Sequence, residues 1–170
     1  MQTVTVPMEA LAQLIILQLE KNKTADLNVT GSSMKPMLEH RRDSVTLLPV
    51  ENRCKPGDII LYCRENEKYV LHRILRLVEG GYICCGDNQA EEETVMDGQL
   101  IAVVSGFTRK GKSYTLDHAG YRLYVWVWLK LFWLRPTYIK VRRRIGRFLG
   151  RQRKKKYMKE LKRNRRIKHE

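Results

Sequence analysis

Long apolar runs are scarce in this sequence of 170 residues. The first, LAQLIILQL at 11–19, is broken by Gln13 and Gln18 and falls short of the roughly 20 apolar residues that a bilayer span requires. It follows acidic Glu9 rather than a basic stretch, so it reads as neither a cleavable secretory signal nor a span. Leu11, Leu14, Ile15 and Gln18 recur at helical spacing, which predicts a short amphipathic helix over 8–20. Cysteine is limited to Cys54, Cys63, Cys84 and Cys85. These form no recurring C-x-x-C pair and match no histidine spacing, which argues against a zinc site. Adjacent Cys84 and Cys85 in an apolar strand read as small core residues, and all four as reduced thiols. Acidic residues are scarce in one region only. The formal net charge is +15, yet up to residue 134 there are 16 Lys and Arg against 16 Asp and Glu. From Arg135 to Glu170 there are 17 basic residues against 2 acidic ones. The excess is therefore a property of a tail, and a neutral body argues against a nucleic-acid-binding fold.

What is present is a succession of short strands. LNVTG reads as a strand ending at Gly31, followed by SVTLLPV, a Pro-Gly turn, DIILYCR and KYVLHRILRLV. Gly80 and Gly81 turn the last of these back into YICCGDN, and QLIAVVSGFTR returns across KGK into KSYTLD. Strands at such regular spacing predict a mainly antiparallel β domain, over residues 1–120.

The character changes at 121–136, YRLYVWVWLKLFWLRP, which holds all three tryptophans together with Arg122 and Lys130. Tryptophan and tyrosine favour the headgroup boundary of a membrane, and long basic stems can reach outward from it. Beyond Pro136, Val141, Ile145, Phe148 and Leu149 share a helical face among arginines, a pattern suited to anionic lipid. Residues 121–170 are thus expected to form a helical aromatic and basic extension that contacts an anionic membrane surface. The protein is accordingly expected to be membrane-associated, with no specific nucleic acid as partner.

The stretch GSSMKPML at 31–38 places two serines between a glycine and a methionine. A serine hydroxyl becomes a nucleophile only when a base removes its proton. Of the four histidines, His40 adjoins Arg41 and Arg42, His118 follows Asp117 in a turn, and His169 lies in the tail. Only His72 sits in a strongly patterned strand, sharing a face with Lys68, Val70 and Ile74. Lys68 is a second candidate base on that face.

In order along the chain, GSSMKPML, KPGDIILY and YVLHRILRLVEGGYICCGDN resemble the signal peptidase I / LexA-like serine peptidase superfamily, over about Val29 to Val104. The resemblance implies a coiled antiparallel sheet carrying a serine endopeptidase site, with Ser33 as nucleophile. His72 followed by Arg73 resembles the Ser-His branch of the endoplasmic-reticulum and archaeal types, where other branches use lysine. Asp87 of the GDN motif fits one of the family's acids. A further acid is expected several residues on, where Glu91, Glu92, Glu93 and Asp97 are the choices. The position two residues before the nucleophile is Gly31, so main-chain N–H groups are left to hold an oxyanion. The resemblance implies an extended precursor, signal or leader peptide as substrate, with small side chains before the cut and no metal or cofactor. Two other readings carry different expectations. A LexA-like self-cleaving regulator needs a helix-turn-helix and an Ala-Gly or Cys-Gly site ahead of Ser33, and neither is present. A non-catalytic protein on this fold would use its basic tail to hold nucleic acid or lipid.

Overall fold

The computed structural model describes residues 8–141 together with 144 and 145. It opens with helix α1, Met8–Asn22, whose Ala12, Ile15 and Leu19 are buried. Their three- and four-residue spacing forms one stripe, and α1 lies against strands β1 (Ala25–Asn28) and β4 (Tyr69–Val78). The remaining strands are β2 (Ser44–Leu48), β3 (Ile59–Cys63), β5 (Gly81–Cys85), β6 (Glu93–Met96), β7 (Leu100–Arg109) and β8 (Lys112–Thr115). They form one antiparallel sheet in the order β1-β2-β7-β3-β4-β5-β6, with β8 paired to β7. The sheet is curled into a half-barrel, the mainly β architecture that the strand spacing predicts.

The central strand β3 shows why the sheet needs apolar residues on both faces. Ile59 and Leu61 point into a core shared with Val45, Leu47, Ala102, Val104 and the buried stripe of α1. Ile60 and Tyr62 point the other way, into a smaller core with Cys54, Ile74, Tyr82, Cys84 and Val95. A strand buried on both sides reads as a continuous apolar run, as IILY does. The cysteines carry no disulfide. Burial pushes the Cys84 thiol up to about 12, which keeps it protonated.

A second helix, α2 (Ala119–Lys130), follows β8. The chain divides into two compact units after Phe132, so α2 belongs with the sheet, whereas composition alone places the boundary at 120. The reason is Tyr121, which is buried beside Phe107 of β7 with ring centroids 5.3 Å apart. The second unit begins at Trp133 and is helical over 135–141. Among the described residues no helix is long and apolar enough to cross a membrane. Of the expected basic face, Val141 and Ile145 are helical and exposed, while Phe148, Leu149 and the tail beyond them lie outside the described residues.

The loop between β1 and β2 carries the GSSM stretch and is closed at its base. Val29 and Asp43 are joined by a main-chain bond of 2.9 Å, and Arg41 N–H donates to the Val29 carbonyl at 2.8 Å. The carboxylate of buried Asp43 accepts the N–H groups of Glu39 at 2.8 Å and Lys110 at 3.2 Å, besides a bidentate pair with Arg42. The Arg42 hydrogen bonds, working against burial, hold the Asp43 carboxyl at about 2. Asp43→Ala should cost roughly 1–3 kcal/mol of stability, since two amides lose their acceptor, as read by urea unfolding. Because the folded carboxyl titrates below the ordinary value near 3.9, its stabilisation is present above pH ~4. It is lost as pH falls towards 2, a limb that Asp43→Asn should flatten.

Candidate active site

Sheet register brings the imidazole to its acid. On β4, His72 lies opposite Ile60, and Val70 lies opposite Tyr62. Ile74 lies opposite Cys84 of β5, which in turn faces Glu93 of β6. Residues that are opposite, or two apart along one strand, share a face. Tyr62, His72 and Glu93 are therefore delivered to one side of the sheet by three different strands. His72 Nδ1 stands 2.6 Å from Glu93 Oε1. The Tyr62 hydroxyl lies 3.1 Å from the same nitrogen and donates to Glu93. Arg64, just after β3, clamps both oxygens of Glu93 at 2.7 and 2.9 Å.

These contacts settle the charge states. Burial pushes the Glu93 carboxyl up, but the hydrogen bonds from Arg64 and Tyr62 and the field of His72 outweigh it and leave it below its ordinary range. Burial is the largest influence on His72 as well. It lowers the imidazole below its ordinary value, against the opposing pull of Glu93. At neutral pH the pair is thus a neutral imidazole beside an ionised carboxylate. Such an imidazole must place its hydrogen on Nδ1, facing Glu93, and carry its lone pair on Nε2.

Nε2 faces the serine loop. Gly86, at the end of β5, marks the convergence. A Cβ there would stand 3.0 Å from His72 Nε2, 2.8 Å from the Ser33 carbonyl oxygen and 2.7 Å from Gln89 Oε1. The next residues clamp the loop: Asn88 N–H donates to the Ser33 carbonyl at 2.7 Å, and its side-chain amide donates to the Ser32 carbonyl at 3.1 Å. Gly31 adopts φ +84°, a conformation that favours glycine, and its N–H donates to His40 Nδ1 at 2.9 Å. His40 is thereby assigned to shaping the turn, and His118 to the start of α2, edge-on to Tyr114. His169 lies outside the described residues.

Ser33 and His72 line one cavity of about 210 Å³, with Leu27, Val29, Met34 and Leu61 supplying apolar wall. Two strand edges flank it. β1 pairs with β2 alone and ends the sheet. On β4 the ladder to β5 begins only at Arg73, so Val70 and Leu71 are in register with β3 alone.

The placement of the acids departs from the expectation for Asp87. Its carboxylate receives Arg73 at 2.9 and 2.7 Å and the Tyr124 hydroxyl at 3.0 Å. The carboxylate on His72 is Glu93. Glu92 pairs with Arg76, while Glu91 and Asp97 are exposed. Lys68 is exposed in the β3–β4 turn, outside β4. Tyr62, Arg64 and Asn88 also belong to the site. Among the described residues no cluster of His, Cys, Asp and Glu could hold a metal ion. No family model, curated protein or solved structure matches the chain.

Glu93→Gln should lower the His72 imidazole further, because the carboxylate's charge and hydrogen bond both favour the protonated ring. Histidine-selective NMR titration reads the shift. Gly86→Ala should destabilise the fold by roughly 1–3 kcal/mol, since neither a main-chain oxygen nor a buried ring can retreat freely. Thermal unfolding reads the loss.

Proposed function

We propose that the protein is a serine endopeptidase that cuts precursor, signal or leader peptides. The observation that carries this reading is the ordered set Ser33, His72 and Glu93. The first two face one cavity, and the third is hydrogen-bonded to the far nitrogen of the second. In the reaction, His72 Nε2 accepts the Ser33 proton as Oγ attacks the peptide carbonyl, and Glu93 stabilises the imidazolium that forms. Main-chain N–H groups, that of Ser33 first among them, would hold the oxyanion. His72 then protonates the leaving amine, and water, deprotonated by His72, releases the acyl group.

The flanking edges of β1 and β4 favour an extended peptide that adds as a strand, with main-chain bonds giving affinity and the apolar wall receiving a side chain. Membrane-surface contact is supported by α2. Its outward face exposes Leu123 and Trp126, at 62% and 60%, with Arg122 and Lys130 also exposed. An apolar stripe beside basic residues suits an anionic lipid boundary.

The test is co-expression with leader-bearing peptides, or cleavage of such peptides in vitro. Ser33→Ala and His72→Ala should each lower kcat by about 10⁴-fold or more, and Lys68→Ala should leave it unchanged. Persistence of cleavage in both first variants removes the proposal. Since only neutral His72 accepts a proton, kcat/KM should fall on the acid side with a midpoint below the ordinary imidazole value of about 6.5.

A further inference from the structure

The catalytic reading uses neither Tyr121 nor Tyr124, yet both hydroxyls reach from α2 into the deepest polar contact of the sheet. Arg73 and Asp87 have side chains with no solvent exposure and pair in bidentate fashion. Arg73 Nη1 also donates to the Gly57 carbonyl at 2.7 Å and to the Tyr121 hydroxyl at 3.1 Å. Tyr124 donates to Asp87 Oδ2 at 3.0 Å. The Arg73 guanidinium carbon stands 5.7 Å from each tyrosine ring centroid, within cation–π range.

Each member of this ion pair adjoins a member of the candidate site. Arg73 follows His72 on β4. Asp87 lies between Gly86, against which the serine carbonyl and Nε2 converge, and Asn88, which grips the Ser32 and Ser33 carbonyls. A buried carboxylate keeps its place only while its acceptor capacity is filled. Removing one donor loosens the carboxylate, and the movement passes through one peptide unit to the amide holding Ser33.

We propose that Tyr121 and Tyr124 are positioning residues, coupling α2 to the Ser33–His72 pair through the Arg73–Asp87 bridge. The kinetic part rests on the peptidase reading, and the structural part does not. The variant to use is Tyr124→Phe, which keeps the ring that stacks on Trp128 at 5.6 Å and removes only the hydroxyl. Amide hydrogen exchange should quicken at least 10-fold at Asn88 and Gln89, while Leu47 and Val104, paired between β2 and β7, stay within twofold of wild type. Tyr121→Phe should act in the same direction. With a cleavable peptide, Tyr124→Phe should lower kcat about 10-fold with KM within twofold. Uniform acceleration across all amides would reduce the tyrosines to general stability, and unchanged exchange at Asn88 would end the coupling; either overturns the proposal. A wild-type protein that cuts no peptide leaves the exchange measurement to decide the coupling alone, so the two failures are distinguishable.

Discussion

A guanidinium and a carboxylate with no access to water are tolerated only when every hydrogen-bonding position around them is met. The Arg73–Asp87 pair imposes that condition on this fold. Its partners come from the turn before β3, from β4, from the loop after β5 and from α2. Those segments must arrive together, because a half-satisfied pair costs more than none. Once they have arrived, His72, Gly86 and Asn88 have little freedom, since each is a chain neighbour of a member of the pair. The buried bridge is thus a brace beside the candidate site rather than part of it.

The site itself follows a different electrostatic logic. Arg64 and Tyr62 hold Glu93 ionised by direct hydrogen bonds, while burial holds His72 neutral. Neither state requires the other to be charged. A base adjacent to a negative charge and screened from water is ready to accept a proton, because the imidazolium it forms meets a carboxylate already oriented. Tyr62 donates to Glu93, and burial raises its hydroxyl far above the ordinary phenolic value, so it remains a donor at neutral pH.

Much of the sheet was legible from alternation. Val45 and Leu47 announce a half-buried strand, and the unbroken IILY of β3 announces a central one. β6 was not, because ETVM is four residues long with one buried side chain, Val95. The cost of missing β6 was the choice of acid among Asp87, Glu91, Glu92, Glu93 and Asp97. Read along the chain, Asp87 looks like the partner of His72, as it sits in a motif. Only pairing of β6 with β5 carries Glu93 across to the imidazole and leaves Asp87 on the side of Arg73. Ser33 and His72 were singled out from residue type, order and resemblance, and both line one cavity. The support from Tyr62, Arg64 and Asn88 was not, since contacts between hairpins leave no periodicity in the sequence. The compact units divide after Phe132 rather than at the change of composition: α2 is aromatic enough to look foreign to the sheet, but Tyr121 and Tyr124 are its attachment.

That attachment bears on how the polypeptide can be dissected. Composition invites a cut after residue 120, where neutral strands give way to tryptophan-rich text. A fragment ending there would keep all eight strands, the serine and the imidazole. It would also strip two phenol hydroxyls from an arginine and an aspartate that have no solvent exposure, beside the loop that carries Ser33. Recombinant work on the sheet should therefore retain the chain through Phe132, the exposed Leu123 and Trp126 included.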